Sequence, residues 1–248
     1  MARTTGAFAP RTSHYVGSAK TLEDGVPTTR IRLQAAAINA SRFKRGFDVC
    51  VALLLIVVLA PALLAIALAI VIDNPGPVFF RQQRYGKDKR IFRVFKFRTM
   101  RAGEPAAPFI QTAPGDPRLT RFGWLLRRTS LDELPQLLNV LNGDMSLVGP
   151  RPHAVPMDDR FGSVLSDYSD RHLVRPGMTG LAQVCGYRGP TETPLAIAER
   201  LRHDRTYIAT WSVWLDFRIL ARTPLALIHE NAMSSEQDSC SARGSERH

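Results

Sequence analysis

The sequence predicts an α+β, mainly helical chain: a re-entrant membrane helix-break-helix joined to a small membrane-associated cytoplasmic domain with short strands. Three observations predict it. One uncharged apolar stretch, Val49 to Ile72, is bracketed by Asp48 and Asp73 and carries Pro61 near its middle. Basic residues crowd both of its flanks. Beyond it, apolar residues recur mostly at helical spacing, and β-branched and aromatic residues gather only in short runs.

Residues 1–40 are polar, without a sustained period, and read as a flexible arm with one short helix at Ile31–Ala40. Residues 41–73 form the membrane element. At about 1.5 Å per residue, a helix from Val49 to Ile72 extends roughly 36 Å, enough to cross a bilayer. Proline at position 61 removes a backbone N–H and predicts a break. Arg42, Lys44 and Arg45 precede the stretch, and Arg81, Arg84, Lys87, Lys89, Arg90, Arg93, Lys96, Arg98 and Arg101 follow it. Lys and Arg favour the cytoplasmic side, so both flanks point to one face, which a re-entrant helix satisfies. A single span with a tolerated proline kink is the alternative.

Residues 74–230 form the main domain. Asn74-Pro75-Gly76-Pro77 is a turn, and Val78–Phe80 and Ile91–Met100 suit short strands. The proline-rich stretch from Gly103 to Asp116 is a loop and a candidate substrate lid. Leu119–Arg128 and Leu131–Leu141 are predicted helices. Pro135 has no N–H to donate and belongs among the first four positions of the second, with Asp132 as N-cap. Leu147–Pro152 and Arg175–Gly180 are ordered loops. Pro194–Tyr207 and Trp211–His229 are two further helices, with Trp211 and Trp214 equally suited to a membrane interface or a core. Residues 231–248 read as a disordered tail.

Lys and Arg number 33 against 22 Asp and Glu, a formal charge of +11 that calls for anionic partners: lipid headgroups, nucleotide phosphates or nucleic acid. No nucleic-acid-binding motif accompanies the charge, so nucleic acid is not expected. Cys50, Cys185 and Cys240 form neither a disulfide framework nor a CxxC zinc site and fit a reducing, cytosol-facing location. The histidines lack metal-ligand spacing. Absence of GxxxxGK[ST], GxGxxG, Asp-x-Asp and GxSxG removes the usual nucleotide-binding loops, one common metal motif and the serine hydrolase elbow.

Chemistry concentrates at Asp132 and Glu133. Two explanations are open for this pair. Acidic side chains favour helix N-termini, where they are stabilised by about 0.3–1 kcal/mol. On that account the chain is a non-catalytic, membrane-anchored polybasic binding protein. Alternatively, Arg127, Arg128, Arg151 and Arg175 converge with the pair on a diphosphate. One carboxylate then attacks phosphorus and the other holds Mg²⁺, a hard cation that prefers oxygen ligands.

Ser130-Leu131-Asp132-Glu133-Leu134-Pro135-Gln136 through Gly143-Asp144-Met145-Ser146-Leu147-Val148-Gly149-Pro150-Arg151-Pro152 closely resembles the signature of the bacterial sugar transferases, the monotopic polyprenyl-phosphate phosphoglycosyl transferases. Phe95–Met100, Asp116–Thr120, Arg175–Val184 and Trp211–Asp216 resemble the family's other blocks, in the family's order. The resemblance covers roughly residues 42–225. It implies a re-entrant helix broken at Pro61, placing the catalytic domain on the cytoplasmic face of the bacterial inner membrane. It implies that Asp132 attacks the β-phosphate of a UDP-sugar, releases UMP and passes the phosphosugar to undecaprenyl phosphate, with Glu133 assisting through Mg²⁺. This would be the first step of surface polysaccharide or glycoconjugate synthesis. Arg127, Arg151 and Arg175 would meet phosphates, and Gly177, Thr179, Gly180 and Gln183 would lie near the nucleotide. Two departures stand out: Ala60 where serine commonly precedes the membrane proline, and Leu181 where an aromatic is common. The sugar and self-association into a homo-oligomer are left open.

Overall fold

The computed structural model describes residues 26–101, 116–188 and 193–228. The candidate lid, apart from Asp116, and the C-terminal tail lie outside those residues. In chain order come α1 (Thr28–Ala40), α2 (Arg42–Asp73), β1 (Phe79–Tyr85), β2 (Ile91–Phe97), α3 (Arg121–Thr129) and a 3-10 turn, Leu131–Glu133. They are followed by α4 (Gln136–Asn142), β3 (Ser146–Val148), α5 (Val155–Val164), a second 3-10 segment (Tyr168–Leu173), β4 (Gly177–Thr179), α6 (Leu181–Val184) and α7 (Pro194–Thr210). Residues 213–228 form α8.

Residues 28–40 belong to the packed domain, not to a loose arm. Ile31, Ala35 and Ile38 recur on one face of α1 and are buried in the main core, and Asn39 Nδ2 donates to Leu173 O at 2.8 Å. Ser41 then caps α2, its hydroxyl accepting from the Lys44 N–H.

α2 corrects the expected break. All residues from Arg42 to Asp73 are helical, and the helix continues through Pro61. A proline deletes one donor, and the turns on either side retain their own hydrogen bonds. The middle of α2 is bare: Leu53, Leu54, Val57, Val58, Leu64 and Leu68 are exposed. Its two ends are not. Phe47, Val51, Ala52 and Ile56 pack with Leu137 and Val140 of α4, while Leu63, Ile66 and Ile70 pack with Phe97 and Leu126.

The base of α2 is anchored by a buried ionic cluster. Lys44 Nζ lies 3.2 Å from Asp48 and 2.9 Å from Asp216. Two carboxylates share one ammonium, so further donors are needed. Ser146 Oγ donates to Asp48 at 2.7 Å and Tyr207 OH to Asp216 at 2.9 Å. α2, β3, α7 and α8 are thereby joined at one point.

The predicted short strands become a hairpin, with Phe79 opposite Phe97 and Tyr85 opposite Ile91. β3 and β4 form a two-stranded parallel pair, Ser146 opposite Gly177 and Val148 opposite Thr179, overlapping the stretches expected to be loops. Three-residue strands are too short to show an alternating pattern in sequence. Asn139, fully buried, ties the hairpin to α4 by acting as a substitute strand neighbour. Its Oδ1 accepts from Phe95 N–H at 2.9 Å and its Nδ2 donates to Arg93 O at 2.8 Å. Lys96, the next residue along β2, is thus held over the turn that carries the carboxylates. The two tryptophans divide the alternatives: Trp211 is partly buried and donates to Asp216, whereas Trp214 is exposed.

Candidate active site

α3 ends in Arg127 and Arg128, and Ser130 then adopts a left-handed conformation, φ 58 and ψ 16. That geometry costs a non-glycine residue about 1 kcal/mol. It reverses the chain, so the Leu131–Glu133 turn starts at once, with Ser130 O accepting from Glu133 N–H. Asp132 does not serve as N-cap. It lies inside the turn, and no side chain caps either the 3-10 turn or α4. A capping hydrogen bond therefore does not account for the acidic pair.

The two carboxylates have opposite surroundings. Glu133 is saturated: Lys96 Nζ reaches Oε1 at 2.7 Å, Arg151 grips both oxygens at 2.6 and 3.0 Å, and Arg188 reaches Oε2 at 3.3 Å. Asp132 is 6% exposed and, among the described residues, accepts no hydrogen bond; Lys96 Nζ is 3.8 Å away. Burial pushes the Asp132 carboxyl up, opposed by the charge of Lys96 and reinforced by Glu133. Burial acts on Glu133 in the same sense, but the charges of Arg151 and Lys96 outweigh it and hold that carboxyl well below the usual range. One group is a desolvated, unbonded carboxylate; the other is a fixed anchor for three cations.

Arg127, whose Nε donates to Thr99 Oγ1 at 2.8 Å, also acts electrostatically on Asp132. Lys96, Arg127, Arg151 and Arg188 bring four positive charges around the two carboxylates. Such a gathering of cations in a partly buried site suits an anionic ligand.

Arg127 and Arg151 are brought together as expected, but Arg175 is not. Its Nε donates to Gly143 O at 2.9 Å, beside Arg45, which donates to Val140 O and Leu141 O. Both guanidiniums thus satisfy carbonyls at the C-terminal end of α4. Gly177, Thr179, Gly180 and Gln183 stand behind Arg151. Gly177 N–H donates to Pro150 O and Gly149 N–H to Thr179 O, both at 2.9 Å. A Cβ at Gly177 or Gly180 would collide with the Gly149 backbone, so glycine lets the two segments meet. Thr179 pairs with Thr223 at 2.8 Å, and Gln183 Nε2 donates to Met178 O at 3.1 Å. Arg171, held by Asp204 at 3.0 Å, donates to Arg151 O and fixes the loop from a third side.

Lys96, named in sequence only as part of the basic flank, and Arg188 were not among the expected site residues. Lys96 lies in a recognisable block, but its reach to Glu133 depends on the Asn139 clamp. Arg188 has no local signal, since only the fold brings it across to Ser130 and Glu133.

The expected Mg²⁺ fits these residues poorly. Glu133 has no oxygen left uncommitted, and no group of three or more His, Cys, Asp and Glu that could hold a metal ion occurs among the described residues.

The profile of the bacterial sugar transferases matches residues 39–230, including α2, the hairpin and every residue of this site. The chain belongs to the bacterial sugar transferase family. This sugar transferase is 47% identical, over 86% of its own length and 77% of the relative's, to a UDP-glucose:undecaprenyl-phosphate glucose-1-phosphate transferase of Caulobacter vibrioides. It is 47% identical to the enzyme of the same name from Escherichia coli, covering 73% of this chain and 39% of that one. Identity to an exopolysaccharide production protein of Rhizobium leguminosarum is 49%, covering 73% and 92% of the two chains. The sugar transferase thus spans about two-fifths of the longer relatives it matches. Membership makes it an enzyme and leaves the non-catalytic binding protein without support.

Proposed function

We propose that this enzyme transfers a sugar-1-phosphate, glucose-1-phosphate first among candidates, from a UDP-sugar to undecaprenyl phosphate, giving undecaprenyl-diphosphate-sugar and UMP. The observation that carries this reading is the asymmetry of the acidic pair: Asp132 is buried without a hydrogen bond while Glu133 is locked by Lys96, Arg151 and Arg188. An Asp132 oxygen attacks the β-phosphorus, the bond from that phosphorus to the bridging oxygen breaks, and UMP leaves. A phosphosugar-Asp132 intermediate results. An oxygen of the lipid phosphate then attacks the same phosphorus and returns the carboxylate. Lys96, Arg127, Arg151 and Arg188 supply positive charge where negative charge accumulates on the transferring group. Relatives named for glucose, and others named for N-acetylgalactosamine and galactose, support this reaction class and put glucose first.

UMP release from a panel of UDP-sugars, with undecaprenyl phosphate and Mg²⁺ in nanodiscs, tests the proposal. Release is expected with UDP-glucose or one or two other donors; none with any donor would overturn it.

Membrane placement is part of the same proposal. The exposed apolar middle of α2 needs lipid, yet both its ends pack on the same domain. A straight span would draw that domain into the bilayer, so a monotopic arrangement, with both ends of α2 on the cytoplasmic face of the inner membrane, fits better. With Cys50, Cys185 and Cys240 replaced, single cysteines at exposed Phe43 and Ile72 should both react with an impermeant maleimide in inverted vesicles. Labelling of only one would show a span.

A further inference from the structure

Resting on the proposed diphosphate substrate, we propose that the free enzyme has no divalent-cation site at the acidic pair and that the metal becomes bound only together with the nucleotide diphosphate. The disagreement between the residues and a preformed metal site carries this inference. A divalent cation seeks several hard oxygens. Glu133 directs its two oxygens at Lys96, Arg151 and Arg188 through contacts of 2.6 to 3.3 Å, and Ser130 Oγ accepts from Arg188 at 3.0 Å. Asp132 alone is uncommitted, and a single carboxylate is a weak ligand set. Entry of a cation would also set two positive charges beside Lys96, Arg151 and Arg188, at low exposure where repulsion is poorly screened.

A diphosphate reverses this balance. Its negative charges offset those of the surrounding cations, its oxygens attract Lys96 and the arginines away from Glu133, and it brings oxygen ligands of its own. Metal and diphosphate therefore bind with positive coupling, and each strengthens the other by the same factor. Lys96 and Arg188 occupy the carboxylate until the anion arrives. In this account they both repel the bare cation and receive the substrate.

Mn²⁺ serves as the probe, with its free-ion electron paramagnetic resonance signal as the readout. Full-length enzyme in zwitterionic nanodiscs is titrated alone and with UDP, beside a protein-free Mn²⁺–UDP control. UDP retention in EDTA is measured separately by equilibrium dialysis. The enzyme alone is expected to leave the free Mn²⁺ signal unchanged at millimolar metal. With UDP, Mn²⁺ affinity should rise by about 100-fold, and UDP affinity by the same factor on adding metal. A Lys96→Met/Arg188→Met variant, with two of the cations on Glu133 removed, should gain Mn²⁺ binding without nucleotide. Micromolar Mn²⁺ binding by the enzyme alone, lost in Asp132→Asn, would overturn the inference while leaving the transferase reading intact. Failure of UDP to bind with or without metal would overturn that reading and the inference with it.

Discussion

Asp132→Asn is expected to reduce UMP release at least about a thousand-fold and to raise the melting temperature at neutral pH. The two effects share a cause. Asp132 accepts no hydrogen bond among the described residues and is buried, so its charge destabilises the folded enzyme while remaining available for attack. Its carboxyl titrates above the ordinary value in the folded state. The penalty is absent below the unfolded value, grows as pH rises through the folded value and is complete above it. Asparagine removes the penalty and the nucleophile together. Acid-quenched wild type should carry the added mass of a sugar phosphate on Asp132 when the lipid acceptor is withheld, and the variant should not. A variant that retained turnover would exclude Asp132 as the nucleophile.

Glu133→Gln should do the reverse to stability. It leaves Lys96, Arg151 and Arg188 facing a neutral amide in a site where all four side chains are at most 21% exposed. Breaking a buried ionic group by removing one partner costs about 3–5 kcal/mol, and residual solvent access places this case near about 3 kcal/mol. The folded carboxyl is held well below its ordinary value. Its contribution is therefore present above the unfolded value, near 4.5, and is lost only as pH falls through the depressed one. Thermal unfolding at pH 7 should show the loss in full, and the gap between variant and wild type should close only in strong acid. Equal melting temperatures at pH 7 would show that the cations do not depend on Glu133. Turnover should fall as well, because Lys96 and Arg151 lose the anchor that sets their positions over Asp132.

Much of this was legible in one dimension. The uncharged stretch from Val49 to Ile72 announces a lipid-seeking helix, and the helices around residues 121–129, 136–142 and 194–210 announce themselves by apolar spacing. Asp132, Glu133, Arg127 and Arg151 stand out by charge and proximity along the chain. α1 was harder to place, because three buried residues on an otherwise polar helix leave a faint pattern. The β3–β4 pair was invisible for a similar reason: its strands are short, and their pairing depends on glycines at 149, 177 and 180 that permit close backbone approach.

Local spacing is enough to specify which side chains can be helical, apolar or acidic, since those properties depend on neighbours three or four residues away. Burial, partner and charge balance depend on residues far apart in the chain. Folding turned Arg175 away to the end of α4, brought Lys96 and Arg188 onto Glu133, and left Asp132 unbonded beside them. The adjacent carboxylates share a sequence position almost entirely, yet their chemical roles differ because long-range contacts saturate one with cations and desolvate the other.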